Sequence, residues 1–393
     1  MAPRPSRPRA LVALVVLVAL AAGCGTKFDL PTEQPGGAPP ADKSYQTIAV
    51  WPGMDRVRDL LLTQKYGSQL FVLFERAIPD TSSHGEVWLY ALTRQVPVRS
   101  LLHVNNPVAL AAGGDGTGSP LNRVYVLDQG DTCEARANPF THVCGDTIRN
   151  WSLDVSDLFH YWRVREYGLL GGDTLSTFTD TSMAFVRGIA ADHQGRVYVA
   201  GMAIIYVPDI TFHLFTRLFQ SRVYRYVRGP RYPGVRPPDR SMPGADWHRD
   251  STWVIVEGSG IGSLMNPHGL EWMDGPAGSA LYVSDYDKNW IQRMSDTQSS
   301  NGLYQIDGAE TGTFLFQAGD VASDADGFVY VCDTGNRRVL RYNSAKEFVQ
   351  RVDIAEVGGT GPLTNPVAVA ANDTLVFIAD PGISTVFKMR RLK

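Results

Sequence analysis

The stretch "VYVCDTGNRRVLRYN", residues 329–343, contains two apolar segments separated by a short polar one. Valine and tyrosine favour β-strands, and the segment "DTGN" between them is typical of a turn. The first strand ends in an aspartate, and the second carries arginines among its apolar residues. The stretch therefore predicts two adjacent antiparallel strands, and its relatives elsewhere in the chain decide the fold.

Five relatives of the first strand occur along the 393-residue chain. Each has an aromatic residue at the centre of an apolar strand, and the six residues are Phe71, Tyr125, Tyr198, Tyr282, Tyr330 and Phe377. The last two gaps are 48 and 47 residues long, which indicates a repeat of that length, and the longer gaps before them indicate insertions. Repeats of about this length built from short strands are typical of β-propeller blades.

Each repeat contains further strands beside the aromatic one. Short apolar segments precede it at 106–112, 186–192, 266–272, 319–324 and 365–371. Basic and apolar residues alternate after it at 85–92, 221–227, 289–294, 337–342 and 384–389, and outer strands are expected at 251–258 and 348–357. Four strands in each of six repeats predict an all-β fold, a six-bladed β-propeller. Residues 45–51 would supply the outer strand of the last blade and close the ring.

The repeats at 319–343 and 365–393 resemble those of the NHL-repeat family, in which a proline-led strand precedes an aromatic strand that ends in aspartate. The resemblance implies a propeller whose recurrent polar residues are structural. The aspartate position is held by Asp128, Asp285, Asp333 and Asp380, which we expect to cap the turn between the second and third strands. A basic residue follows eight positions later at Arg293, Arg341 and Lys388.

The N-terminal residues differ in composition from the rest of the chain. Three arginines precede the apolar run "ALVALVVLVALAAG", which is short for a membrane span and ends at Cys24. The ending "LAAGC" resembles a bacterial lipoprotein signal, which implies that residues 1–23 are a signal peptide and that Cys24 carries lipid such as palmitate. An ordinary cleaved secretory signal is the alternative. Residues 24–44, rich in proline and glycine, predict a flexible tether to the bacterial membrane.

These features predict a lipoprotein of the cell membrane or outer membrane that faces the periplasm or the exterior. In an exported chain, Cys133 and Cys144 favour a disulfide, although His142 nearby leaves a metal site as the alternative. Cys332 lies within a strand and is most simply a buried thiol.

Composition and insertions bear on the partner. The formal net charge of −3 shows no basic excess, which argues against a nucleic-acid partner. We expect the propeller to occupy residues 45–393, with insertions at about 133–185, 203–220 and 229–250. These segments are rich in aromatic and apolar residues and in arginine, which are typical of interfaces. They predict either a protein or glycan partner or loops that pack back over the propeller.

Candidate site residues follow from aligning the first strand of each repeat. One position holds Val108, Arg187, His268, Gly319 and Val367, and the next holds Ala109, Gly188, Gly269, Asp320 and Ala368. Because innermost strands line the channel, Arg187, His268 and Asp320 are the candidate binding residues, with His268 as a candidate acid, base or ligand. Together they could bind an anion or a carbonyl group. Alternatively, each caps its own strand.

Two enzyme families are similar in parts. "NPHGLEW" (266–272) is similar to the histidine-bearing strands of peptidyl-hydroxyglycine amidating lyases, which hold zinc, but only His268 matches. Gluconolactonase-like propellers bind calcium through channel residues, and Asp320 and Glu271 are the candidates for such ligands here. The sequence therefore leaves three alternatives open for a cofactor, which are Ca²⁺, Zn²⁺ or no metal. The sequence favours a binding or scaffolding module over an enzyme, with a channel-mouth lyase or lactonase as the alternative.

Overall fold

The computed structural model of the chain describes residues 45–63, 69–75, 85–104, 106–115, 122–129, 162–180, 182–209, 214–228, 247–274, 278–296, 304–352 and 363–392. The side chains of residues 184, 206–209 and 214–217 are excepted. The predictions for the signal peptide, Cys24, the tether and the Cys133–Cys144 disulfide lie outside these residues.

The described residues form six antiparallel four-stranded sheets. Strand β1 (Tyr45–Pro52) comes first in the chain. The first blade consists of β2 (Val57–Thr63), β3 (Gln69–Phe74), β4 (Glu86–Tyr90) and β5 (Pro97–Ser100). The second consists of β6 (Pro107–Gly113), β7 (Arg123–Gln129), β8 (Trp162–Gly168) and β9 (Ser176–Phe178). The third consists of β10 (Met183–Ala191), β11 (Val197–Asp209), β12 (Leu214–Arg228) and β13 (Trp247–Ile255).

The remaining blades follow the same order from the channel outward. The fourth consists of β14 (Pro267–Met273), β15 (Ala280–Asp285), β16 (Trp290–Ser295) and β17 (Tyr304–Ile306). The fifth consists of β18 (Ala318–Ser323), β19 (Val329–Asp333), β20 (Arg338–Tyr342) and β21 (Phe348–Arg351). The sixth consists of β22 (Ala368–Ala371), β23 (Leu375–Asp380), β24 (Thr385–Arg391) and, as its outer strand, β1.

The ring closes by pairing the two ends of the propeller. Strand β1 pairs with β24 in antiparallel register from Tyr45↔Arg391 to Pro52↔Thr385. The inner strand of each blade contacts the inner strands of both neighbouring blades, and β22 contacts β2. The predicted six-bladed propeller with an N-terminal closing strand is therefore confirmed. None of the described helices is long and apolar enough to cross a membrane.

The aromatic residues that revealed the repeat form the core between neighbouring blades. All six are completely buried, and each lies in the second strand of its blade. Cys332 lies beside Tyr330 in β19 and is a buried free thiol, as predicted. Burial, reinforced by the nearby Asp320 carboxyl, raises its thiol pKa well above the ordinary value. The repeated strand is therefore a packing unit rather than a site.

The repeated aspartates bind a different segment from the one expected. The second strand ends beside the start of the first strand, so each carboxylate meets the backbone that enters the blade. Asp285 accepts the N–H groups of Met265 and Asn266 at 2.9 Å. Asp128 accepts the N–H of Asn106 at 2.7 Å. Corresponding bonds are made by Asp333 to Phe316 and by Asp380 to Thr364 and Asn365.

The expected turn contact is found in the fifth blade, where Asp333 also accepts from Asn336 at 2.9 Å. The basic residues of the third strands have structural contacts as well. The guanidinium of Arg341 lies 3.5 Å from the ring centre of Phe328, and Lys388 donates to the carbonyl oxygen of Leu92 in the first blade.

The structure divides the insertions differently from the sequence analysis. Within 133–185, strands β8 and β9 are the third and fourth strands of the second blade, and β10 begins at Met183. Within 203–220, the described residues belong to strands β11 and β12, which stay paired as far as Asp209↔Leu214 and are hereafter called the β11–β12 hairpin. Of the segment 229–250, residues 247–250 belong to β13, and the rest lies outside the described residues. Charged residues in β8 concealed its strand character.

Candidate functional site at the channel mouth

A β-bulge near the start of the inner strands sets the geometry of the channel mouth. The register shifts at this point in β2, β6, β10, β14 and β18. A bulged residue leaves the ladder and its side chain is redirected. The residues at this point are Arg58, Val108 and Arg187 in the first three strands, His268 with Gly269 in β14, and Gly319 with Asp320 in β18. The alignment position predicted from sequence is thus the bulge position.

These residues line one cavity of about 430 Å³ where the inner strands converge. Arg187, His268 and Asp320, the three residues singled out from sequence, all line it, as does Glu271. Asp59, the residue that follows Arg58 in β2, and Tyr286 also line it, as do Asp55 and Glu75. The lining therefore includes two arginines, one histidine and five carboxyl groups.

His268 is held as a neutral acceptor. The guanidinium of Arg187 donates from Nη1 to Nε2 of His268 at 3.0 Å, and because an arginine can only donate, Nε2 carries no proton. Burial, followed by the charges of Arg187 and Arg58, lowers the pKa of His268 to about 4, although the charge of Asp287 opposes this. Its ring stacks on Tyr286 with 4.6 Å between centroids and 16° between planes. At neutral pH the imidazole is therefore uncharged and fixed in orientation.

Arg187 is a half-buried cation that lines the cavity. Burial lowers its guanidinium pKa, while Asp287 raises it and Arg58 lowers it. Among the described residues, no carboxylate forms an ion pair with Arg187, and its side chain is hydrogen-bonded to His268. Arg58, by contrast, is exposed and donates to Glu75 at 2.6 Å. Arg187 is thus the cavity cation with hydrogen-bond donors left for a ligand.

Asp59 and Asp320 hold neighbouring inner strands together. The two oxygens of Asp59 accept the N–H groups of Leu60 at 2.7 Å and Leu110, in the next blade, at 2.6 Å. Asp320 does the same with Val321 at 2.8 Å and Val369 at 2.9 Å. Each carboxyl therefore uses one oxygen on a backbone group of its own strand and the other on a backbone group of the next blade.

Both carboxyl groups bind protons more tightly than ordinary aspartates. Burial raises the pKa of Asp59 to about 7 against the effect of its hydrogen bonds. Burial, followed by the charge of Asp59, raises the pKa of Asp320 well above its ordinary value, and Glu271 adds to this. The acidic groups thus act on one another across the channel.

Glu271 differs from the two aspartates in its free oxygen. Its Oε1 accepts the N–H of Ser323 at 3.1 Å and the hydroxyl of Ser323 at 2.7 Å. Its Oε2 has no hydrogen-bond partner among the described residues. Burial raises its pKa from 4.5 to about 7, its hydrogen bonds oppose this, and the charge of Asp59 adds to it. Glu271 therefore exchanges a proton with the cavity near neutral pH.

The donor set does not fit a metal ion. Among the described residues, no three His, Cys, Asp or Glu side chains lie close enough together to hold one. The carboxylate oxygens of Asp59 and Asp320 bind backbone amides, and Nε2 of His268 faces Arg187. A cation repels metal from the imidazole, so neither the zinc nor the calcium hypothesis accounts for these side chains.

Arg58, Asp59 and the acidic character of the channel were missed from sequence. The strand "VRDLLLT" lacks the Asn-Pro start found in the second, fourth and sixth inner strands, and the first blade contributed no residue to the alignment. A signal was present, because Leu61 pairs with the aromatic Phe71 as Ala111 pairs with Tyr125. Placing the first strand by its pairing with Phe71 would therefore have identified Arg58 and Asp59.

No family model and no curated protein matches the sequence. Several solved structures are similar in fold. Virginiamycin B lyase from Staphylococcus aureus is 10% identical, with a TM-score of 0.43 over 88% of this chain and 100% of that one. Its catalytically inactive variant with quinupristin gives 10% identity and a TM-score of 0.44 over 88% and 99%. A luciferin-regenerating enzyme gives 9% identity and a TM-score of 0.48 over 89% and 95%. The chain is a six-bladed β-propeller by its own strand pairing.

Proposed function

We propose that the chain is a membrane-tethered, extracytoplasmic binding module built from NHL-like repeats, and that it captures a small anionic ligand at the channel mouth. The observation that supports this best is Arg187, a half-buried cation in the cavity with no carboxylate partner among the described residues. A guanidinium has five N–H donors in a planar fork that matches a carboxylate or phosphate. Among the described residues, only the bond to His268 uses one of these donors.

His268 supports binding rather than catalysis. As a neutral acceptor it orients Arg187 without cancelling its charge. The same bond occupies Nε2, and a pKa of about 4 makes the imidazole a weak base at neutral pH. Its Nδ1 would carry the only ring proton. His268 is therefore a positioning residue for the cation in this proposal.

A lyase or lactonase is the second candidate. It is favoured by the carboxyl groups of Asp59 and Glu271, whose pKa values of about 7 suit proton transfer at neutral pH. In that case the ligand would be a substrate whose carbonyl or oxyanion lies against Arg187. Turnover that is lost in Glu271→Gln but retained in His268→Gln would support it over the binding module.

The location in the cell envelope is part of the proposal and is supported by sequence. Lipidation at Cys24, with residues 24–44 as the tether, would hold the propeller at the cell membrane or outer membrane. A Cys133–Cys144 disulfide suits that compartment. The variant Cys24→Ala should move the protein from the membrane fraction to the soluble fraction. Continued association with membranes would contradict lipid anchoring.

A protein or glycan could dock on the same face. The β11–β12 hairpin extends from the end of the second strand, which lies beside the start of β10 and hence beside Arg187. Phe185 and Phe219, whose rings are 6.3 Å apart, are partly exposed at the base of this hairpin. A macromolecular partner on the hairpin would therefore also cover the cavity mouth.

The binding test uses hexanoate as the probe. Titration of the full chain, followed by ligand-observed NMR, should show saturable binding. Replacing Arg187 by glutamine should weaken binding about tenfold, because a charge-assisted hydrogen bond is lost. Arg390→Gln is the matched control, since Arg390 is exposed and lies outside the cavity. Equal binding by all three proteins would contradict the proposal.

A further inference from the structure

We propose that the ligand is a zwitterion, with an ammonium group that lies deeper in the channel than its anionic group and an apolar chain between them. This rests on the proposed function, since Arg187 is taken to hold the anionic end. The observation behind it is that one cavity contains a cation near its mouth and an open carboxylate oxygen further along the inner strands.

The separation of the two groups follows from strand geometry. Arg187 and His268 occupy equivalent bulge positions in adjacent inner strands and are hydrogen-bonded. Glu271 lies three residues beyond His268 in β14. Because Pro267 pairs with Asp285 and Glu271 pairs with Tyr282, three residues further along β15, a rise of about 3.3 Å per residue places the Glu271 backbone about 10 Å along the channel wall from the start of β14. The ligand must therefore be elongated to reach both groups.

Glu271 is the acidic residue suited to an ammonium group. Asp59 and Asp320 use both of their oxygens on backbone N–H groups, one in their own strand and one in the next blade. Glu271 uses Oε1 on Ser323, and its side chain lines the cavity with Oε2 unbonded among the described residues. A carboxylate oxygen accepts hydrogen bonds only, so its complement is a donor, and a cationic donor bonds most strongly.

The cavity wall also carries apolar side chains at the level of each group. Val108 and Val367 lie at the position equivalent to Arg187, Leu61 lies at the position equivalent to Glu271, and all three line the cavity and are only partly buried by protein. A volume of about 430 Å³ lies within the range of cavities that take small organic ligands. A methylene chain between the charged ends would cover these side chains and remove them from water.

The proposal carries a pH dependence with a definite sign. Glu271 must be ionised to bind the ammonium group, and burial places its pKa at about 7. The groups that face it are Asp59 from β2, Asp320 and Ser323 from β18, and, near the mouth, the Arg58, Arg187 and His268 side chains. Because His268 stays neutral above pH 5, the binding of the ammonium end should strengthen from pH 6 to pH 8, while that of the carboxylate end should not.

The test compares 6-aminohexanoate, which has both charges, with hexanoate and with hexylamine. Hexanoate keeps only the negative charge, and hexylamine keeps only the positive one. At pH 8, the full chain should bind 6-aminohexanoate about tenfold more tightly than either control, as expected for one added charged hydrogen bond. At pH 6 the advantage over hexanoate should fall severalfold. The shorter zwitterion 4-aminobutanoate should bind no more tightly than hexanoate at either pH value.

Variants assign the effect to Glu271. In Glu271→Gln, 6-aminohexanoate should bind no better than hexanoate, while hexanoate should still bind saturably and at least as tightly as to the parent chain, which shows that the site still folds. Glu310→Gln is the control, because Glu310 is exposed on a short turn outside the cavity. It should bind all three compounds as the parent chain does.

The outcomes separate the inference from the function it rests on. If hexanoate binds as tightly as 6-aminohexanoate, the zwitterion is refuted and anion capture stands. If neither acid binds, anion capture fails and the zwitterion fails with it. If hexylamine binds as tightly as 6-aminohexanoate, the anionic end contributes nothing and both are overturned.

Discussion

Replacing Glu271 by glutamine should stabilise the folded protein at pH 8 and leave its stability at pH 4 nearly unchanged. The amide oxygen of glutamine can still accept from the N–H and hydroxyl of Ser323, so the contacts of Oε1 persist. What the substitution removes is the charge of a carboxylate that burial and Asp59 disfavour. The change therefore isolates the electrostatic cost of an ionised acid in the channel.

The magnitude follows from the pKa of Glu271, which rises from 4.5 in its ordinary setting to about 7 in the folded chain. Between these values the folded state binds more protons than the unfolded state, so the free energy of unfolding of the parent falls as pH rises. One pH unit corresponds to about 1.4 kcal/mol, so the whole loss is about 3 kcal/mol and is complete above pH 7. The glutamine variant lacks this loss.

Urea denaturation of both proteins at pH 4 and pH 8, followed by tryptophan fluorescence, measures the difference. The variant should gain about 3 kcal/mol relative to the parent between the two pH values, with equal m-values. Glu310→Gln should show no such gain, because Glu310 is exposed. A variant that is equally or less stable than the parent at pH 8 would show that Glu271 is not a strained acid.

Two further predictions concern the fold. Asp285→Ala leaves the N–H groups of Met265 and Asn266 without their acceptor and should lower the free energy of unfolding by about 2–4 kcal/mol. The control Asp373→Ala, at an exposed residue, should change the free energy of unfolding by less than about 0.5 kcal/mol. Equal effects of the two variants in urea denaturation would refute the capping role of Asp285. Deleting residues 45–52 removes the buried Tyr45 and Trp51 and opens the edge of β24, so the free energy of unfolding should fall by at least about 4 kcal/mol and the protein should aggregate. An unchanged melting temperature would contradict closure of the ring by β1.

The fold was predictable because a propeller repeats one packing unit. An aromatic residue buried in each second strand is required in every blade, so it recurs at intervals that a single sequence reveals. Closure by residues 45–51 followed from counting strands in the last repeat. The blades that were described least well are those where charged residues enter a strand, as in β8, whose Glu166 is buried and receives hydrogen bonds from Arg123 and Arg228.

The site was only partly predictable, because its chemistry depends on contacts between blades. Equivalent repeat positions brought Arg187, His268 and Asp320 into one cavity, as expected for inner strands. The hydrogen bond that makes His268 a neutral acceptor joins two blades, and no sequence pattern specifies it. Likewise the pKa of Glu271 depends on Ser323 and Asp59 in the two other blades that face it.

The stability that the folded protein loses by burying an ionised Glu271 supports a functional role for this residue. The hydrogen bonds to Ser323 could be accepted by a glutamine oxygen without the burden of a buried charge, so structure alone gives no reason for a carboxylate there. Asp59 and Asp320 differ, because each accepts one backbone N–H group in its own strand and one in the next blade, and a neutral amide would offer only one acceptor atom. Destabilising groups are retained in proteins chiefly where a ligand or a reaction needs them. Glu271, whose Oε2 has no hydrogen-bond partner among the described residues, is therefore the first channel residue to test by substitution.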